Sequence, residues 1–530
     1  MRVKAVHLFV ALLLCTLSPG GVFAAPSLAV DAKDAPRYVF VFIGDGASFP
    51  QRSAAESYKA SRAAKPDLGP AVLRAQKKIS RNTGITDFTP AADRLLMNTF
   101  PAQGVSTTYS YNALITDSSS SGTAIATGKK TRDGVVGMDP EGKEKYVSMA
   151  KMAKARGRSV GIITSVSIDH ATPASFYACQ PSRNQFYEIA RQIPETRFDY
   201  FAGGGFRQPT GAKKDQKDLY AIFAESGYSI TQDKAGFAAL GKGKGKIIAI
   251  SPVLDASHAM PYDIDKGKDE ITLAEFVAKG IELLDGPKGF FMMVEGGKID
   301  WACHANDAKT AILDVLAFDD AVAVAYAFYT KRPKDTLIVV TGDHETGGMT
   351  MGFAGTRYDT FMDIISKQKG SYLAFDKIIA QLRKEKPEAT LEDVMPDITD
   401  FFGLRLYSVE VLAEMKKKAS EGDEEAVAAL QFALQPYEVE NLRKALAMTL
   451  EPKDKRPRSE DTYYLAYGGY EPLSVTLTHI LNNKAGIGWT TYAHSGLPTP
   501  VSAIGVGHEK FAGHYDNTDI FQKVISIARY

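Results

Sequence analysis

Cysteine is scarce: three residues in a chain of 530 cannot build a disulfide framework. Cys15 lies in the N-terminal leader, so Cys179 and Cys303 leave room for one bridge at most, with two free thiols an equally open reading. Excess charge of either sign is missing as well. The 63 Lys and Arg against 62 Asp and Glu give a formal charge of +1, so bulk electrostatics offer a polyanion nothing, and nucleic acid is not an expected partner. Beyond the leader no apolar run approaches the roughly 18 residues of a membrane span. The C-terminal stretch carries Asp519, Lys523 and Arg529, unlike an apolar anchor signal. With 45% hydrophobic and 24% charged residues, disorder and coiled coil are also excluded, which leaves a large globular protein.

The first 24 residues read as an export signal. Arg2 and Lys4 form the basic region, Leu8 to Leu17 the apolar stretch, and Val22-Phe23-Ala24 the small-residue cleavage site. Its removal leaves a mature chain near neutrality, expected in the periplasm or outside the cell. Four short apolar runs then organise the molecule: Tyr38 to Ile43, Val160 to Ile163, Phe290 to Val294 and Thr336 to Val340. Each runs on to a polar cluster, and such β-branched and aromatic runs suit strands buried on both faces. The expected fold is α/β, with a largely parallel central sheet flanked by helices and its ligands beyond the carboxyl ends of the strands. Thr272 with Glu275 predicts a capping box, and Asp117 predicts an N-cap for a helix from Ser118 to Thr127.

From about Gly352 the texture becomes Lys/Glu-rich and helical, as in Val409 to Lys418 and Glu424 to Leu434. The expected division is therefore a leader over 1–24, an α/β domain over 25–351, a mostly helical insertion over 352–486 without chemistry of its own, and the returning part of the α/β domain over 487–530. Seven basic residues between 57 and 86 (Lys59, Arg62, Lys65, Arg74, Lys77, Lys78, Arg81) read as a solvated helical face. Gly241 to Lys246 reads as a mobile loop.

Asp300 and His304 stand four apart, which on a helix puts both on one face, able to grip one metal. Asp343-His344 and Asp45 each follow a buried run. Singly, such residues serve equally as salt bridges, caps or turns; together they supply Asp/His sets suited to zinc beside oxygen donors suited to magnesium. Ser118 opens a small-residue helix, where backbone N–H groups and the helix dipole favour an anion. A bare serine is a weak nucleophile, and with no Ser-His motif nearby a metal is the simpler activator. His258, His479, His508 and His514 have no partner motif and read as structural.

The segment Ile115-Thr116-Asp117-Ser118-Ser119-Ser120-Ser121-Gly122-Thr123 resembles the signature of the alkaline phosphatase family at every position, and the order of the other motifs matches too. The resemblance implies hydrolysis of phosphate monoesters through a phosphoserine on Ser118, at a site with two zinc ions and one magnesium. It implies Asp300, His304 and His494 around one zinc, and Asp45, Asp343 and His344 around the second. Asp45, Glu295 and Thr172 would hold the magnesium, and Arg183 would clamp phosphate with two parallel N–H donors. His170 and Trp301 stand where many bacterial members have Asp and Lys, so the outer shell of the third site departs from that pattern. Members are commonly homodimers. The rival readings are a phosphodiesterase of the same superfamily and a non-catalytic phosphate- or metal-binding exported protein.

Overall fold

The four apolar runs become the centre of one sheet in the computed structural model, which describes residues 35–63, 94–243 and 245–530. They form β1 (Tyr38–Gly44), β3 (Ser159–Thr164), β7 (Phe290–Glu295) and β8 (Thr336–Gly342), adjacent in the order β3-β7-β1-β8 and mutually parallel. Their side chains alternate between two cores, one on each face: Phe40, Phe42, Met292 and Val294 on one side, Val39, Val41, Phe291 and Met293 on the other. This is why the runs are apolar throughout instead of alternating with polar residues.

Six further strands complete ten: β2 (Ala102–Thr107), β4 (Tyr200–Gly203), β5 (Tyr228–Thr231), β6 (Lys246–Ile250), β13 (Thr499–Gly505) and β14 (Gly513–Asp516). The full order is β14-β2-β13-β8-β1-β7-β3-β4-β6-β5. Only β13 runs against the rest, pairing antiparallel with both β8 and β2. Its return beside β8 carries the C-terminal residues back to the middle of the sheet. Lys246, taken with a loop above, begins β6 instead.

Helices cover both faces. Leu273–Leu284, with its Thr272/Glu275 capping box in place, and the long Ala308–Lys331 pack on one side. On the other lies Asn517–Ala528, packed against the helix Ser118–Thr127. Two short ribbons complete the frame. β9 (Glu345–Thr346) pairs with β12 (His494–Ser495), and β10 (Thr350–Met351) pairs with β11 (Ile487–Gly488). The second ribbon sits where the chain leaves the sheet and rejoins it. Between its strands run helices from Met362–Ile365 to Pro472–Ala485. Their apolar side chains, among them Phe375, Ile398 and Leu481, join the same core as Phe40 and Met292.

The leader and most of the basic stretch from 57 to 86 lie outside the described residues. No helix among the described residues is long and apolar enough to cross a membrane. Cys179 and Cys303 are both buried and free.

Candidate active site

Parallel register brings the acids together. Gly44 pairs with Gly342, and Ile43 with Glu295, so the residues just past β1 and β8 emerge level with the end of β7. Asp45, Glu295 and Asp343 are thereby gathered with no exposure to solvent. Gly46 permits the crowding: it adopts φ +72°, and a Cβ there would meet Asp300 Cα at 2.9 Å and Thr346 Oγ1 at 2.9 Å. Its N–H donates to Asp343 Oδ1 at 3.2 Å.

Ser118 is the first residue of its helix. The N-cap Asp117 accepts from the Ser120 N–H at 2.9 Å. All ten helix residues are buried, and the small side chains let the helix Ala171–Tyr177 pack closely: a Cβ on Gly122 would lie 3.0 Å from Ser175 Oγ. Ser118 Oγ lies 3.1 Å from His344 Nε2, a residue 226 positions away. That same nitrogen is 3.2 Å from Asp45 Oδ1 and 3.5 Å from Asp343 Oδ2.

Asp300 and His304 do share a helix, Lys298–His304. His304 Nε2 lies 3.3 Å from Asp300 Oδ1, His494 Nε2 lies 3.5 Å from it, and the two imidazole nitrogens approach to 3.2 Å. Each Nδ1 faces a carbonyl, Tyr492 O at 2.6 Å for His304 and Thr116 O at 2.7 Å for His494. With Nδ1–H donated, the two Nε2 atoms are turned towards Asp300 and one another, where a proton on His304 or a bound cation satisfies them.

Three donor sets result: Asp300, His344 and His494, with His304 beside them; Asp45, Asp343 and His344; and Asp45, His170 and Glu295. The last moves His170 from the outer shell expected of it into the donor set itself. Thr172 Oγ1 donates to Asp45 Oδ2 at 3.3 Å, and Trp301 meets the His170 ring edge-on, 5.6 Å between centroids. Asp45 Oδ1, Asp343 Oδ2, Glu295 Oε1 and His170 Nδ1 are buried without a hydrogen-bond partner. Four orphaned atoms around adjacent sets fit bound divalent cations, because buried unpaired acceptors are otherwise costly.

The electrostatics point the same way. Burial, then the charge of Asp300, pushes Asp45 well above the usual carboxylate range. Burial and then Asp45 do the same to Glu295 and Asp343. Burial also works on Asp300, but His304, His494 and His344 outweigh it and hold its carboxyl low. His304 is disfavoured as a cation by burial, yet Asp300 lifts it to about 9. Burial takes His344 down to about 4 and His170 to about 3, so both are neutral at ordinary pH, as a ligand must be.

Arg183 Nη1 lies 2.9 Å from Asp117 Oδ2, which orients the guanidinium beside Ser118. Burial favours a protonated Asp117, but Arg183, Ser119 and Ser120 prevail and keep it ionised.

Some residues of the site carry no sequence signal. Thr164 donates to Glu295 and Thr346 to Asp300. Glu345 is fully buried and accepts from Gln51 Nε2 at 2.7 Å, from the N–H groups of Gly348 and Met349, and from Ser495. It ties together the β9/β12 ribbon that carries His494 to Asp300. Glu345→Gln is expected to weaken metal binding about tenfold while leaving the fold intact, because outer partners orient ligands. Competition with a chromogenic chelator measures this. Of the remaining histidines, His479 Nε2 donates to Asn306 Oδ1 at 2.9 Å and His508 Nδ1 donates to Gly505 O at 2.7 Å, and neither joins a donor set.

A serine at a helix N-terminus, facing adjoining sets of buried carboxylates and imidazoles at the carboxyl edge of a parallel sheet, defines an α/β phosphohydrolase of the metal-dependent class. The family model described as alkaline phosphatase matches residues 66–530, and the chain belongs to that family of phosphomonoesterases. Alkaline phosphatase 4 of Bacillus subtilis is 29% identical over 514 residues, covering 94% of this chain and 92% of its own. The alkaline phosphatase of Schizosaccharomyces pombe is 27% identical, with 79% and 72% covered. Among solved structures, the cold-active alkaline phosphatase of a psychrophilic Shewanella species superposes with a TM-score of 0.69 at 26% identity, over 93% of this chain and 99% of that one. The Thermus thermophilus enzyme shares the fold at 24% identity with the same TM-score, over 94% and 92%.

Proposed function

We propose that this phosphomonoesterase is an exported enzyme that works through a phosphoserine on Ser118, with two zinc ions and one magnesium in the three donor sets. The observation that carries the reading is Ser118 Oγ at 3.1 Å from His344 Nε2, within the set formed with Asp45 and Asp343. Bound there, divalent cations supply Lewis acidity and balance the charge developing on attacking and leaving oxygens.

The chain does the rest. The helix N-terminus presents backbone N–H groups to the phosphoryl group, and Arg183 binds two of its non-bridging oxygens while Asp117 fixes the guanidinium. Ser118 Oγ attacks phosphorus in line and the ester oxygen leaves; water then attacks the phosphoserine and releases phosphate. Asp300, His304 and His494 are assigned to the first zinc, and Asp45, Asp343 and His344 to the second. Asp45, Glu295 and Thr172 are assigned to magnesium, joined by His170. An imidazole in that set makes it a poorer magnesium site than one built only of oxygen.

The test is turnover of p-nitrophenyl phosphate and bis-p-nitrophenyl phosphate from about pH 6 to about pH 11, before and after chelation and with both metals restored. The expected result is monoester activity, highest at alkaline pH, that disappears and returns with metal. Faster diester turnover would favour the phosphodiesterase reading. A fully metallated protein that binds phosphate without turnover would favour a binding protein.

Chelation also has a sign in stability. Asp45, Glu295 and Asp343 keep protons in the folded metal-free chain that the unfolded chain has lost. His304, raised to about 9, does the same between its unfolded value and 9. The folded state therefore binds more protons, and metal-free stability falls as pH rises from about 6.5 to about 9. The Tm gap between loaded and chelated protein is expected to widen over that window; a constant gap would contradict the assignment.

A further inference from the structure

His304 and His494 owe their orientation to different parts of the chain. The carbonyl facing His494 Nδ1 belongs to Thr116, just before Ser118, whereas the one facing His304 Nδ1 belongs to Tyr492. The buried Tyr492 side chain is held by the helical segment. Its hydroxyl donates to Ala466 O at 2.8 Å, its ring lies over His479 with 5.8 Å between centroids and 27° between planes, and Tyr464 meets it at 6.0 Å and 71°. Gly468 closes the helix Asp461–Tyr467 at φ +58°, and a Cβ there would lie 2.2 Å from Tyr492 Cγ, so the ring is packed directly on that backbone. A second grip lies just past His304. Asn306, buried and at φ +49°, donates from Nδ2 to Cys303 O at 2.9 Å and to Thr491 O at 3.0 Å, which ties the residue before His304 to the residue before Tyr492. The helix Pro472–Ala485 holds Asn306 in turn: His479 Nε2 donates to its Oδ1 at 2.9 Å, and Asn482 Nδ2 to its backbone carbonyl at 2.7 Å.

We propose that Tyr492 is a positioning residue through which the helical segment sets the His304 imidazole for the first zinc, so that residues 352–486 act on the reaction without supplying a reacting group. The proposal rests on the assignment of His304 to that zinc within the phosphatase reading. The Tyr492 carbonyl, 2.6 Å from Nδ1, does two things at once: it takes the Nδ1 proton, which leaves Nε2 as the ligating atom, and it fixes the ring so that Nε2 faces Asp300 Oδ1 at 3.3 Å. A backbone carbonyl is only as fixed as the residue that carries it. Tyr492 lies between β11 and β12 and belongs to neither ribbon, so the packing of its side chain, with the bonds of Asn306 beside it, sets where that carbonyl stands.

The experiment compares wild type, Tyr492→Leu, His304→Ala and the double variant, with zinc itself as the probe in competition against a chromogenic chelator, and with Tm read on the chelated proteins. Asp300, His344 and His494 remain a donor set without His304, so zinc binding stays measurable in every variant. The expected result is that Tyr492→Leu weakens one zinc equivalent about tenfold. His304→Ala should weaken the same equivalent more, and Tyr492→Leu should add nothing further once His304 is gone. A merely structural role would lower Tm and weaken zinc by the same factor with or without His304, and that additive outcome overturns the proposal. So does zinc affinity within about twofold of wild type in Tyr492→Leu. If Tyr492→Leu does not fold, Tyr492→Phe decides, because it keeps the ring and removes only the bond to Ala466 O. It is then expected to weaken the same zinc about threefold, again only with His304 present, and an unchanged affinity overturns the proposal. Unchanged zinc affinity in His304→Ala overturns the ligand assignment and the proposal together. Wild-type protein that binds zinc as expected but hydrolyses nothing counts against the phosphatase reading alone, because the zinc comparison does not use turnover.

Discussion

Replacing Ser118 by alanine is expected to abolish the covalent phosphoprotein and to lower kcat/KM by about three orders of magnitude or more. Phosphate affinity should change little, because Arg183 and the helix N-terminus remain. The expectation follows from position: Ser118 is 2% exposed, its Oγ is fixed by the first turn of a wholly buried helix, and the nearest side-chain nitrogen is His344 Nε2. Because the side chain is small and helix propensity favours alanine, stability should be preserved. Quenched labelling with a phosphate ester reads the outcome. A phosphoprotein that survives in Ser118→Ala would transfer the nucleophile to another group.

Asp45 is expected to be the ligand whose loss costs most, since it belongs to two donor sets, one with Asp343 and His344 and the other with His170 and Glu295. Asp45→Asn keeps the shape and removes the charge. Metal content should fall at both sets, and kcat/KM should fall by about two to four orders of magnitude. The same substitution should raise the Tm of the chelated protein by several degrees, roughly 2–4 °C, because it removes one of three mutually repelling buried carboxylates. Opposite effects on loaded and metal-free protein are a signature that a packing defect does not produce; a loss of Tm in both states would refute the role given to Asp45.

The central strands were legible because burial on both faces writes continuous apolar runs into the sequence, and the residues just past them were legible as acids and histidines in unusual company. The edge strands β5 and β14 and the interior strand β4 were not, being four residues each and bounded by no such cluster. Nothing in the spacing of Thr499 to Gly505 announces that β13 runs antiparallel, since direction is set by the chain returning from the helical segment beside β8. His170 was expected one layer out. Only the approach of the helix Ala171–Tyr177 to Asp45 and Glu295 brings its ring into their set.

What the sequence determined by itself is local: the N-cap at Asp117, the i,i+4 pair Asp300 and His304, the apolar runs of the sheet and the family signature around Ser118. These follow from helix and strand periodicity and from side-chain reach over a few residues. Tertiary structure decided the rest. Register levelled Asp45, Glu295 and Asp343, and the β9/β12 ribbon set His494 against Asp300. Those relations join residues hundreds of positions apart through sheet pairing and core packing, for which no local pattern exists in the chain.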